Sequence, residues 1–117
     1  MPETVTLKQA MRVERRRVER FRVNLDIRWE GASGLRKGTI SDISTDGCFI
    51  LTSPEVVATE PVKIGIQLPQ GVVVTLPGEA VYSMEEIGFG LRFTGLGRTE
   101  QLFLQRLIDS ARRKLAR

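Results

Sequence analysis

At 117 residues, 41% of them apolar, the chain has the size and composition of one domain with a real hydrophobic core. It contains no apolar run approaching the ~20 residues that span a bilayer. Cys48 is the lone cysteine and there is no histidine, which excludes an intramolecular disulfide and removes the commonest general base and transition-metal ligand.

The net charge of +4 is unevenly placed: +4 over residues 1–22, −4 over 23–97 and +4 over 98–117. A barrel that tracks nucleic acid carries its positive charge along one face, whereas here the charge sits on the two ends. Residues 1–20 lack sustained periodicity and read as an arm, in which Arg12, Arg15, Arg16, Arg17 and Arg20 crowd together. The opening MPETVTLKQAM has no apolar core of the secretory kind, and the single free thiol suits a reducing compartment, so a cytoplasmic location is expected.

From Phe21 to Glu30 the chain alternates strictly, with Phe21, Val23, Leu25, Ile27 and Trp29 apolar, and a strand is predicted. GASG at 31–34 is a turn signal. A second strand is read over Leu35–Ile43, with Gly38 marking a bend or bulge. Asp42 to Gly47 has the composition of a turn. Cys48–Thr52 is a short strand, and residues 53–60 connect it to an alternating strand at Val62, Ile64, Ile66 and Leu68. After the turn Pro69-Gln70-Gly71, a long extended run covers Val72–Tyr82, with Pro77-Gly78 suggesting a bulge or an edge. The last strand holds Phe89, Leu91 and Phe93. Six short strands with no helix between them predict an antiparallel barrel or sandwich.

Residues 98–117 change period. Leu104, Leu107, Ile108, Ala111 and Leu115 recur at helical spacing, Thr99 is the predicted N-cap, and Arg112, Arg113, Lys114 and Arg117 lie where cations suit the helix dipole. The predicted organisation is therefore an arm (1–20), a barrel (21–97) and a C-terminal helix (98–117).

With no histidine to activate Cys48, a cysteine nucleophile is not expected, and no phosphate-cradling glycine loop is present. The chain is read as a non-enzyme, with no cofactor and no metal. Two features carry chemistry instead. One is Arg16-x-x-x-Arg20, flanked by Arg15, Arg17 and Arg22, at the mouth of the first strand. The other is Asp42-x-Ser44-x-x-Gly47 at the end of the second. Arginine offers planar paired donors to the O6 and N7 edge of guanine and can clamp phosphate or stack on a base. Aspartate accepts from a base's amino and imino groups, and a serine hydroxyl adapts to either. Together they form a toolkit for a guanine nucleotide held between an arm and a β scaffold.

In order and separation the two motifs resemble those of the PilZ domain family. The surroundings agree: Gly38-Thr39-Ile40-Ser41-Asp42-Ile43-Ser44 resembles that family's second strand, and Gly90-Leu91-Arg92-Phe93 its last. The resemblance covers about residues 12–110. It implies a six-stranded antiparallel β-barrel that binds cyclic di-GMP, with Arg16 and Arg20 on guanine edges and phosphates, Asp42 and Ser44 holding a guanine, and Gly47 shaping the turn. Arg15 resembles members that take an intercalated pair of ligands. The expected mechanism is an arm that changes conformation on binding and so presents a new surface to a protein partner.

Three other readings have their own marks. A PilZ-like module that no longer binds ligand would act through protein contacts alone. An RNA or single-stranded DNA binder needs exposed aromatics. Phe21, Trp29, Phe89 and Phe93 lie on apolar alternating faces and are assigned to the core, leaving Tyr82, Phe49 and Phe103 undecided. An anionic-membrane binder would use the basic ends. The C-terminal helix could cover the barrel or pair with a second copy in a homodimer.

Overall fold

The structure, a computed structural model, describes residues 19–53, 56 and 59–115. The barrel is built from β1 (Phe21–Gly31), β2 (Gly34–Ile43), β3 (Gly47–Leu51), β4 (Pro61–Gln67), β5 (Val73–Met84) and β6 (Gly88–Phe93), and α1 (Arg98–Leu115) follows. All strand pairs are antiparallel, and the order β1-β2-β3-β6-β5-β4 closes on itself as β1 pairs with β4. The expected six-stranded barrel is present. Most of the predicted arm, including Arg15 and Arg16, lies outside the described residues.

Alternation along β1 turns Ile27 and Trp29 inward, where they meet Ile40, Ile50, Ile64, Leu76 and Phe89 in a core that excludes water. Trp29 is wholly buried, packs edge-on against Phe89 at 5.1 Å, and donates its indole N–H to Thr52 Oγ1 at 3.1 Å. That hydrogen bond lets so large a side chain be buried without an orphaned donor. Burying each such apolar side chain contributes roughly 1.5–3 kcal/mol before entropy is subtracted.

Irregularities in the ladder fall in other places than the glycines suggested. Gly38 stays in register opposite Ile27. A side chain there would press within 2.9 Å of Ile50 and 3.2 Å of Trp29, so Gly38 admits the core rather than bending the strand. The break in β2 comes at Ser41: Ile40 pairs with Ile50 and Asp42 with Phe49, leaving Ser41 as an extra residue. Ile40 and Ile43, three positions apart, are both fully buried. Strict alternation cannot place them on one face, and the bulge resolves the conflict by shifting parity, which turns Asp42 to the outer surface. In β5 the break is at Val81, between Ala80 opposite Leu91 and Tyr82 opposite Gly90, not at Pro77-Gly78. Pro77 pairs with Lys63, and its carbonyl accepts from the N–H of Thr94.

Helix α1 starts one position before the expected cap. The Gly97 carbonyl accepts the first helical bond from Gln101 N at 3.0 Å, and the Glu100 carboxylate accepts from Gly97 N–H at 2.8 Å. Gly97 is therefore the cap, with Glu100 folding back on it in the manner of a capping box, and Thr99 lies within the first turn. Leu104, Ile108 and Ala111 join the barrel core, with Phe103 and Leu107 packed against it. The last described turn anchors the entry to β1: Arg112 stands over the Phe21 ring at 5.4 Å and reaches Glu19 at 3.9 Å. The helix thus fixes where the chain carrying Arg20 meets the barrel.

Candidate ligand site

At that entry Arg20 donates from Nε to Asp42 Oδ1 at 3.1 Å. The two motif segments, 22 residues apart, therefore meet on one side of the barrel. The pair is about half exposed on the arginine side and a third exposed on the aspartate side. An ion pair this wet contributes at most about 1 kcal/mol, so exchanging it for other partners costs little. Arg22 is opposite Asp42 in the ladder and adds a second exposed cation beside it.

The next residues form a turn that serine chemistry organises. Ser44 is buried, its hydroxyl accepts from Asp46 N at 3.1 Å and Gly47 N at 3.2 Å, and it donates to the Gly47 carbonyl at 3.3 Å. A backbone bond from Ser44 N to Gly47 O at 2.8 Å closes the turn, and Phe93 N–H reaches Asp46 O at 2.8 Å. The hydroxyl is thus engaged with the turn's own backbone. Gly47 has no left-handed φ. Its glycine identity has a steric cause: a Cβ would lie 2.0 Å from the Leu91 carbonyl oxygen. Asp42, Ser44 and Gly47 therefore divide the work, with Asp42 presenting a carboxylate to solvent and the other two holding the bend behind it.

Cys48 lies inward beneath this site. Its thiol is pushed up to about 12, chiefly by burial and then by the Asp42 charge, with Arg20 opposing. It stays protonated and is no nucleophile. Among the described residues no group of three or more acidic or cysteine side chains could hold a metal, and no helix is long and apolar enough to cross a membrane.

Two aromatics left undecided by the sequence belong to the outer face. The ladder runs Arg22–Asp42–Phe49–Gly90–Tyr82 in one continuous row across five strands. Phe49 and Tyr82 contact each other at 5.9 Å, with Tyr82 46% exposed and Phe49 largely covered. The residues on either side of Gly90, Phe89 and Leu91, face the core, which fixes the row as outward. No Gly or Pro marks the Val81 bulge that turns Tyr82 out, and alternation alone could not place it. Phe21, Trp29 and Phe89 are core, as expected, and Phe93 is partly buried against it.

The sequence profile of the PilZ domain matches residues 14–110. Among solved structures, the chain is similar to the PilZ domain, with c-di-GMP, of YcgR from Escherichia coli: TM-score 0.72, 19% identity, 86% of this chain and 94% of that one covered. It is similar to the PilZ domain of CeSA from a cellulose-synthesizing bacterium, with TM-score 0.65, 20% identity and coverage of 79% and 96%. It also resembles the c-di-GMP complex of MrkH from K. pneumonia, with TM-score 0.68 and 16% identity, covering 86% of this chain and 53% of that one. No curated protein matches the sequence.

Proposed function

The chain belongs to the PilZ domain family, and from that premise we propose that it is a receptor for cyclic di-GMP, the dinucleotide present in the YcgR and MrkH structures it resembles. The observation that carries this reading is the contact between Arg20 and Asp42, which brings the end of the arginine motif onto the acidic turn. A guanine presents O6 and N7 acceptors to a guanidinium and imino and amino donors to a carboxylate. Arg20 and Asp42 meet each other in the way each would meet one base, and their exposed pairing is weak enough to be replaced by it.

Arg16, and Arg15 beside it, supply further cations for the second guanine and the two phosphates. Each paired arginine–guanine contact is worth roughly 1–3 kcal/mol of discrimination against a wrong base. Ligand bound at once to Asp42, Arg20 and the arginines that precede Glu19 ties that stretch to the barrel, and the surface so formed is read by a protein partner. The ligand shifts that equilibrium only by the difference in its affinity for the two arrangements.

The test is calorimetric titration of cyclic di-GMP into the wild type and the Arg16→Ala and Arg20→Ala variants. Charge-assisted hydrogen bonds of about 1.5–3 kcal/mol imply at least a tenfold loss in each variant. Wild-type affinity in both variants removes the assignment.

A further inference from the structure

The outer wall of the barrel is hollowed on the side where β2, β1, β4 and β5 lie in turn. Ile27 and Trp29 face the core, so Arg28 between them faces out, and Lys37, its ladder partner in β2, stands beside it. On its other side Arg28 is opposite Gly65 of β4, which faces out between the buried Ile64 and Ile66. With no side chain at Gly65 the wall sinks to its backbone, and the hollow measures about 720 Å³. Val73 of β5 leans over the far side: a Cβ on Gly65 would meet Val73 Cγ1 at 3.3 Å, and the valine is 57% exposed. Asp26 and Thr39 close the near rim, where the Thr39 hydroxyl donates to Asp26 Oδ1 at 3.2 Å.

Arg28 and Lys37 are like charges directly opposite each other in the ladder, an arrangement that weakens a strand pair. Among the described residues neither forms an ion pair, whereas Arg20, Arg92 and Arg112 each do. A carboxylate set between the two would turn one repulsion into two attractions. Beside it, an exposed valine over bare backbone seats an apolar group. A polyanion is a poorer occupant. Asp26 and Glu30, each two positions from Arg28 on the same face, repel a phosphate chain, and among the described residues no aromatic lines the hollow for a base to stack on. Two cations also fall short of the cluster that holds an anionic membrane.

We infer that this hollow is a docking site for an acidic, apolar segment of a partner protein, with a carboxylate of that segment between Arg28 and Lys37 and an apolar side chain over Gly65 against Val73. The hollow lies six residues along β1 from Arg22, roughly 20 Å at the usual rise. A partner held here leaves the Arg20–Asp42 corner open to ligand, and this docking does not depend on the receptor reading.

The experiment titrates the full chain with two capped tetrapeptides, Glu-Glu-Val-Val and Lys-Lys-Val-Val, and follows the Val73 methyl resonances. Successive side chains of an extended segment alternate in direction, so the first peptide offers a carboxylate and an apolar group on each face. It moves the Val73 methyls to saturation at millimolar concentration, and the lysine peptide does not. Lys37→Gln and Arg28→Gln each weaken it by up to about fivefold, the most that an exposed ion pair contributes. Gly65→Thr fills the floor without changing a charge and weakens it as well. Lys37→Gln unfolds at no lower urea concentration than wild type, because it relieves a like-charge pair, so its loss of binding is not a loss of folding. Unmoved Val73 methyls at several millimolar, or an equal response to both peptides, overturn the docking site. So does displacement of the peptide by saturating cyclic di-GMP, or tighter binding of a thymidine tetranucleotide at the same resonances. A sedimentation coefficient that rises with protein concentration in wild type but not in Lys37→Gln assigns the hollow to a second copy and overturns the partner.

Discussion

Gly47→Ala tests the division of labour in the acidic turn. The added methyl carbon would be 2.0 Å from the Leu91 carbonyl oxygen and 3.0 Å from its carbon, both backbone atoms of the paired strand. Neither can rotate away, so β3 and β6 must part by about 1 Å to restore an ordinary contact. That lengthens the last ladder bonds of the pair and strains the turn bonds from Ser44 N and Phe93 N, each 2.8 Å in the native state. Losing two or three hydrogen bonds at about 1 kcal/mol each, offset by the fraction of a kcal/mol that replacing glycine gives back in chain entropy, leaves a net loss of about 2–3 kcal/mol. For a domain of this size the melting midpoint then falls by roughly 10–20 °C. Urea denaturation followed by the fluorescence of Trp29, the lone tryptophan, reads the loss directly. A midpoint within about 0.5 kcal/mol of wild type, the range of ordinary surface substitutions, would refute the steric account and return Gly47 to a direct role toward ligand. The outcome bears on interpretation: a motif residue whose substitution abolishes binding by loosening the fold has not been shown to touch anything.

Two further effects follow from the same geometry. The Cys48 thiol, raised to about 12 in the fold against 9.0 when unconstrained, stays protonated where the unfolded chain has lost its proton. Stability is therefore complete below pH 9 and falls by roughly 1 kcal/mol per pH unit as pH rises toward 12. In denaturation series between pH 8 and 10.5, Cys48→Ala should lack this component, and equal slopes in the two proteins would contradict it. Glu100→Ala removes the carboxylate that caps Gly97 N–H and should cost about 1 kcal/mol in the same assay, whereas Thr99→Ala should cost only a few tenths if Gly97 is the cap.

Much of the barrel was legible because long stretches of its strands are half-buried and alternate in sequence, as from Leu25 to Trp29. The arginine and acidic motifs were legible by their resemblance to a family, and nothing in local periodicity brings Arg20 to Asp42 across 22 residues. Positions next to the bulges were not legible. Pro77-Gly78 drew the expectation of an irregularity because those residues tolerate one, yet the extra residue is Val81, whose backbone carries no such marker. The Ser41 bulge did leave a trace, in that Ile40 and Ile43 are an odd distance apart in a strand that must bury both. Thr99 carries a capping hydroxyl that Gly97 lacks, but the Gly97 carbonyl takes the first helical bond and the Glu100 carboxylate accepts the Gly97 N–H, so the cap falls two residues earlier.

Closure of the sheet also limits how this domain can speak to another protein. A half-paired strand invites a visiting peptide to extend the sheet, and many signalling modules recruit partners that way. Here the outermost strands β1 and β4 pair with each other over Ile27–Glu30 and Lys63–Ile66, so the order of strands closes and the sheet has no free outermost strand among the described residues. A protein that reads this domain would therefore meet chiefly side chains on the curved outside wall, where one or two substitutions retune a contact while the scaffold beneath stays the same.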